Sequence, residues 1–303
     1  MFRSERVEQY QEGKKISDSS LCPTLTTLDT VLRQARAALA QQGLPCPGLE
    51  ARLLVGHGLG LTTTQVLTQG DRQLQVDEIH AIDQLLQQRL QGQPMAYLLG
   101  YREFWSLNLY VDANCLIPRP ETEMVVEQAL HRLPSHPCRC LDAGTGSGAI
   151  ALALCSERPD LEIWAIDHSA AALAIAQANA HTLGLSVHYL QSNWLQAFAP
   201  RPLFALIASN PPYLDPNDPH RHQGDLRFEP DSALISAEQG WADLHTLLQH
   251  AWPRLLPGGW LILEHGYAQG PELRTRLTHA GYQAVQSYKD LAGHERITEA
   301  QRP

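Results

Sequence analysis

One stretch of the sequence carries side chains whose chemistry is specific: Asn210-Pro211-Pro212-Tyr213, directly after the apolar run Leu203-Phe204-Ala205-Leu206-Ile207-Ala208-Ser209. Asparagine offers one carbonyl acceptor and two amide donors, while two prolines fix φ, remove backbone donors and leave carbonyl acceptors. Such a cradle fits a planar NH2 group, which donates both hydrogens into these acceptors while the ring of Tyr213 covers its face. The apolar run reads as a buried parallel strand. The tetrapeptide therefore falls at the carboxyl edge, where open α/β sheets place their ligands. Taken alone, the four residues also suit a proline-rich turn.

A second cluster lies upstream. An apolar strand runs into Arg139-Cys140-Leu141-Asp142-Ala143-Gly144-Thr145-Gly146-Ser147-Gly148, followed by the helix-forming Ala149-Ile150-Ala151-Leu152-Ala153-Leu154. Closely spaced glycines at such a junction let the backbone approach a nucleotide at a helix N-terminus. The next strand, Leu161 to Ile166, ends at Asp167, roughly 20 residues past the glycines, where a carboxylate can accept hydrogen bonds from two ribose hydroxyls. Together these features indicate a nucleoside-containing cofactor. Gly144-x-Gly146-x-x-Ala149 alone does not separate NAD from S-adenosylmethionine. The order of elements favours the latter: a third strand from Val187 to Leu190, then Asn193-Trp194, then the fourth strand that delivers Asn210. Trp194 follows a strand on the ligand edge, where its ring can flank an adenine or serve as a partly buried core indole.

The elements that must position these residues follow from composition and periodicity. A length of 303 residues suggests two domains at ~150 residues each. Hydrophobic content of 44% and charged content of 18% are those of a globular protein. A net charge of -9 argues against affinity built on many phosphate contacts. The six cysteines show no C-x-x-C pair and no zinc-like spacing with histidine, as expected of reduced thiols. No segment approaches the ~20 apolar residues of a membrane helix, and the N-terminus is polar where a signal peptide would be hydrophobic. A cytoplasmic protein is expected.

Residues 1–23 read as a mobile tail. Residues 24–100 form a helical bundle: Leu28, Val31, Leu32, Ala35 and Leu39 share a face, Leu49, Leu53 and Leu54 turn inward after Pro47, and Ile79, Ile82, Leu85, Leu86 and Leu90 follow Asp77. A period of two between Gly100 and Ile117 marks a β-hairpin linker over 101–117. The rest, 118–303, alternates strands and helices as a doubly wound α/β domain. Its first helix starts at Pro118-Arg119-Pro120-Glu121-Thr122-Glu123, with Arg119 and Glu123 as candidates for lining a ligand pocket. The polar loop from Leu214 to Leu234 suits a substrate lip. A helix over Gln239 to Leu256, a strand over Trp260 to Glu264, a helix over Pro271 to Ala280 and two closing strands complete the pattern.

These motifs resemble the class I S-adenosylmethionine-dependent methyltransferases, and within them the glutamine N5-methyltransferases that modify class I peptide chain release factors. The resemblance covers nearly everything after Thr24 and rests on Ile117-Pro118-Arg119-Pro120-Glu121-Thr122-Glu123, the Leu141 to Gly148 segment, Asn210-Pro211-Pro212-Tyr213 and Arg227-Phe228-Glu229-Pro230. Asp218-Pro219-His220 leading into Gln223-Gly224-Asp225 looks like the release-factor branch. The resemblance implies a Rossmann-like class I methyltransferase domain with a mostly parallel seven-stranded sheet and S-adenosylmethionine as cofactor. The implied reaction is methylation of N5 of the glutamine in the Gly-Gly-Gln motif of class I release factors.

By the same resemblance Gly144, Thr145, Gly146, Ser147, Gly148, Asp167, Trp194 and Asn210 contact the cofactor, and Asn210, Pro211, Pro212 and Tyr213 hold and orient the substrate glutamine. A monomer working on a protein substrate is expected, without metal, nucleic acid or membrane. One departure is Asn193, where the family commonly has aspartate; asparagine still accepts through its carbonyl. The rival readings are a glutamine methyltransferase for a ribosomal protein, a DNA adenine N6-methyltransferase, an NAD-dependent dehydrogenase and a non-catalytic binding protein.

Overall fold

The structure, a computed structural model, describes residues 26–222 and 224–303, so the tail expected over 1–23 lies outside the described residues. The chain divides into two compact units, one up to Gln91 and one from Gly92.

The first unit is helical: α1 (Leu28–Gln41), α2 (Pro47–Leu59), α3 (Thr63–Thr68) and α4 (Val76–Leu90). Thr27 caps α1 by accepting a hydrogen bond from the amide of Thr30 at 3.3 Å, and Leu28, Val31, Ala35 and Leu39 are buried at helical spacing. In α2 the inward face differs from the leucine-based expectation. Glu50, Ala51, Leu54 and Val55 are buried, whereas Leu49 is 47% exposed. Arg89 of α4 explains the rotation: its guanidinium donates to both oxygens of Glu50, at 2.8 and 3.0 Å, so a carboxylate can turn inward. Leu85 and Leu90 of α4 are only half-buried, the core positions being Ile79, Ile82 and Leu86.

The second unit opens with α5 (Met95–Leu99) and an antiparallel hairpin, β1 (Tyr101–Phe104) and β2 (Leu107–Tyr110). Its two turn residues, Trp105 and Ser106, both have positive φ, the twist that suits a two-residue hairpin. Phe104 and Leu109 are buried in the main core of this unit, so the hairpin is packed into it. Asn179 also ties the hairpin down, accepting from the amide of Tyr110 at 2.7 Å and donating to its carbonyl at 3.0 Å.

There follow α6 (Glu123–Arg132), β3 (Arg139–Ala143), α7 (Ala149–Glu157), β4 (Glu162–Asp167), α8 (Ala170–Leu183), β5 (His188–Gln191), β6 (Phe204–Ser209), α9 (Asp231–Leu234), α10 (Ala237–Gly240), α11 (Ala242–Ala251), β7 (Leu255–Glu264), α12 (Gly270–His279), β8 (Gln283–Lys289) and β9 (Glu295–Gln301). The sheet order is β5-β4-β3-β6-β7-β9-β8, parallel from β5 to β7, with β9 antiparallel to both neighbours. Alternate residues feed two cores. Cys140, Leu206, Ala208 and Ile262 meet α6 and α7 on one face; Leu141, Ala143, Ile207 and Leu261 meet α11 and α12 on the other. The chain runs outward from β3 through β5 and then returns to β6, so a topological switch point lies between β3 and β6, the place where such sheets open a ligand crevice.

The single helix expected over Gln239 to Leu256 is interrupted. Glu238, Gln239 and Gly240 adopt left-handed φ values of 55°, 57° and 86°, α11 begins only at Ala242, and Pro253 sits in a 3-10 turn after Ala251. Among the described residues no helix is long and apolar enough to cross a membrane.

Candidate active site

A cleft of ≈ 390 Å³ opens at the carboxyl ends of β3, β4, β5 and β6. Its floor is the loop after β3. Gly144, at φ 76°, turns that loop so that its own amide and that of Thr145 donate to the carbonyl of Ile166 at 2.9 and 2.8 Å. A Cβ on Gly144 would stand 3.3 Å from the ring of Trp194, so the glycine lets the indole lie close against the loop. Trp194 is anchored from its far side by its Nε1–H, which donates to Asp243 at 2.9 Å.

Asp167 ends β4 and braces the same loop. One carboxylate oxygen accepts from the amide of Gly146 at 2.9 Å and the other from the amide of Ser169 at 2.9 Å. Each oxygen retains a further lone pair for a ligand hydroxyl. Below the loop, the buried Asp142 accepts from Thr145 Oγ1 at 2.6 Å and from the amide of Ala151 at 3.1 Å. Burial pushes its carboxyl up to about 7 against the opposing pull of those two bonds.

The opposite wall is the segment after β6. The hydroxyl of Ser209 donates to the carbonyl of Ala143 at 2.6 Å and locks the end of β6 to β3. Asn210 then donates its side-chain amide to Thr122 Oγ1 at 3.0 Å; Thr122 donates to Glu264 Oε2 at 2.6 Å; and Tyr213 donates to Glu264 Oε1 at 3.2 Å. Glu264 is buried at the end of β7, and that burial pushes its carboxyl up to about 7, with the bonds from Thr122 and Tyr213 working in the other direction. Burial likewise raises the Tyr213 phenol, with the charge of Glu264 adding to it.

Of the residues singled out in the sequence, Gly144, Thr145, Gly146, Ser147, Asp167, Trp194, Asn210 and Pro212 line this one cleft, together with Asn193. Gly148, Pro211 and Tyr213 stand behind its lining. A Cβ on Gly148 would lie 2.9 Å from Leu152 and 3.2 Å from Ala176, which makes it a packing position between α7 and α8. Pro211 is buried, and Tyr213 turns its hydroxyl to Glu264. Arg119 and Glu123 also lie outside the lining: Arg119 pairs with the buried Glu229, and Glu123 accepts from the amide of Trp105 at 2.9 Å. Of the 214–234 loop, Pro230, Ser232 and Ala233 border the cleft.

The left-handed turn before α11 supports the Asn210 segment from beneath. A Cβ on Gly240, whose φ is 86°, would come within 2.2 Å of the carbonyl oxygen of Tyr213. Gly240→Ala is therefore expected to lower unfolding free energy by more than ~1 kcal/mol. Denaturant titration of the variant beside the parent checks this, and an unchanged midpoint would contradict the close approach.

Comparison with known proteins gives the family. Residues 30–100 match the family described as PrmC N-terminal domain, and residues 122–223 match the one described as Methyltransferase small domain. The release factor glutamine methyltransferase of Escherichia coli strain K12 is 48% identical over 265 residues, covering 87% of this chain and 95% of that protein. The chain belongs to the release factor glutamine methyltransferase family. The protein of that name from Vibrio cholerae is 45% identical over 273 residues, covering 90% of this chain and 96% of its own. Among solved structures, the hMettl16 catalytic domain in complex with MAT2A 3'UTR hairpin 1 shares the fold, with a TM-score of 0.52 at 16% identity over 69% of this chain and 78% of that one.

Within this methyltransferase, reading the sequence left out Thr122, Glu264 and Asp243, all of which touch residues it had singled out. Glu264 carried a local signal: a charged residue closing the apolar run Trp260-Leu261-Ile262-Leu263, at the same sheet edge as Asn210. Thr122 and Asp243 carried none, because each lies on a helical start and meets its partner only through the fold.

Proposed function

We propose that the chain methylates the side-chain amide nitrogen, N5, of the glutamine in the Gly-Gly-Gln motif of class I release factors, using S-adenosylmethionine. The observation that carries this reading is that Asn210, the Gly144 to Ser147 loop and Asp167 line one cleft, at the ends of the neighbouring strands β6, β3 and β4. An amine-accepting group thus faces a site shaped for a nucleoside.

The cleft suits S-adenosylmethionine by its own chemistry. Asp167 has acceptor capacity for ribose hydroxyls, the Trp194 indole offers a flat apolar face, and Asn193 at the cleft wall offers a carbonyl acceptor for an adenine amine. Gly144 to Ser147 would follow the rest of the cofactor with backbone. The bound cofactor supplies a methyl group on a sulfonium.

The chain's own part is to position the nucleophile. Amide nitrogen is a poor nucleophile because its lone pair is delocalised into the carbonyl. Accepting both N–H bonds, at the Asn210 carbonyl in the cleft lining and at the backbone carbonyl of Pro211, which follows it in the chain although its ring is buried, favours a pyramidal nitrogen whose lone pair turns toward the methyl carbon. Well-aligned reactants gain about 7 to 11 kcal/mol from proximity and orientation, so a dedicated strong base is not required: as the C–N bond forms the C–S bond breaks to leave a neutral thioether, and the nitrogen, made strongly acidic by the added methyl group, gives one of its two protons to water. The reaction takes place in the cytoplasm on a monomeric enzyme.

Labelled methyl transfer offered in parallel to a release factor, to DNA and to a ribosomal protein tests the reading. Label is expected in the release factor, and label in DNA or the ribosomal protein alone would overturn it. Asp167→Ala is expected to weaken S-adenosylmethionine binding by roughly 10- to 100-fold, since hydrogen bonds to a charged group contribute ~1.5 to 3 kcal/mol. Calorimetric titration measures this, and unchanged affinity in a folded variant removes Asp167 from the cofactor site.

A further inference from the structure

The hydrogen bonds around Asn210 have a direction, and the direction decides which atom of its amide the cleft receives. Ionised, Glu264 accepts at both oxygens, from Thr122 at 2.6 Å and from Tyr213 at 3.2 Å, and it is this form that gives the network its direction. A threonine hydroxyl has one proton and two lone pairs. Once that proton is given to Glu264, Thr122 can meet Asn210 only as an acceptor, and at 3.0 Å it accepts from the amide NH2. Turning the Asn210 amide over would set two acceptor oxygens against each other and leave the Thr122 acceptor unfilled. The carbonyl oxygen is then the polar atom left to face a ligand in the cleft.

We infer that Thr122 and Glu264 are positioning residues that fix the amide of Asn210 with its carbonyl oxygen toward the cleft, committing the site to an N–H donor. The inference rests on the reading of Asn210 as the acceptor for the substrate amide and adds what makes it one. Without the chain, asparagine presents donor and acceptor interchangeably, and a substrate NH2 meets another NH2 part of the time. Neither residue touches the reacting nitrogen in this scheme. Thr122 sits in the first turn before α6 and Glu264 at the end of β7, so two separate elements converge on one side chain of the β6 edge.

The test uses the full-length enzyme, an intact release factor and four variants. Thr122→Val keeps the shape and removes the hydroxyl; Thr122→Ala removes it without a second branched methyl; Thr122→Ser keeps the hydroxyl; Asn210→Ala removes the group being positioned. Thermal melting and calorimetric S-adenosylmethionine titration establish which variants fold and bind cofactor as the parent does. The expected result is a kcat lowered about 10- to 100-fold in Thr122→Val and Thr122→Ala at unchanged cofactor affinity, with Thr122→Ser restored to within about threefold of the parent. A folded, cofactor-binding Thr122→Val or Thr122→Ala with parental kcat overturns the inference. So does a Thr122→Ser as slow as Thr122→Val, because the hydroxyl would then not be the group that matters. If Asn210→Ala itself transfers methyl at the parental rate, the underlying reading of Asn210 fails and takes this inference with it. A slow Asn210→Ala beside a normal Thr122→Val removes the inference alone.

Discussion

Asn210→Ala is expected to slow single-turnover methyl transfer by about 100- to 1,000-fold at saturating cofactor, or ~2.7 to 4 kcal/mol of barrier, the range found when one preorganised polar group is removed from an active site. Cofactor affinity should fall by much less, roughly tenfold at most, because Asp167, Trp194 and the Gly144 to Ser147 loop remain in the cleft lining. The asymmetry follows from geometry. Asn210 is held by Thr122 on one side and by the β6 backbone on the other, and Ser209 beside it is locked to Ala143 at 2.6 Å, so truncating its side chain leaves the surrounding wall in place. Rapid-quench measurement with labelled S-adenosylmethionine gives the rate, and titration gives the affinity. A near-parental rate would reduce Asn210-Pro211-Pro212-Tyr213 to a proline-rich turn after a strand.

Removing the first unit is expected to have an effect of similar size on a different quantity. A glutamine side chain is small and common, so a cradle that reads only its amide cannot select one glutamine in one protein; selectivity has to come from contacts elsewhere. If the helices α1 to α4 engage the same partner, the two contacts gain affinity through effective concentration. The cut belongs at Gly92. A chain starting at Ile117 would lose Phe104 and Leu109, which are buried in the core of the second unit, together with the Asn179 anchor on Tyr110. A chain starting at Gly92 is expected to bind S-adenosylmethionine as the full protein does, yet to lose about 100-fold or more in kcat/KM on an intact release factor. Equal kcat/KM for the two chains would show that the helical unit takes no part in recognition. A parallel fall in melting temperature and cofactor binding would show that it serves stability.

Much of the site was legible before the fold was known, because the signals are local. The run Phe204 to Ala208 is apolar at every position since β6 is covered on both faces, and that continuity placed Asn210 at a strand end. The glycines after β3 and the aspartate closing β4 follow the same logic, each set by the few residues around it. The antiparallel order of β8 and β9 at the sheet edge, and the packing of the hairpin into the second unit, depend on which strands and cores meet and leave no local pattern.

Where a side chain faces is decided later than where it sits. The face of α2 could not be read from leucines alone, because Arg89, 39 residues away in the chain, makes an inward Glu50 tolerable. The break before α11 was hidden because Glu238 and Gln239 are not residue types that announce a left-handed backbone; the carbonyl of Tyr213 against Gly240 supplies the reason. Strand burial and turn chemistry act over a few residues, so the sheet-edge position of Asn210, the glycine loop and Asp167 are set locally. The direction of the Asn210 amide depends on contacts that the fold alone creates. Its partner Thr122 lies 88 residues from it, the carboxylate that fixes Thr122 lies 142 residues from Thr122, and such pairings exist only once the β6 edge, the turn before α6 and the end of β7 have been brought together.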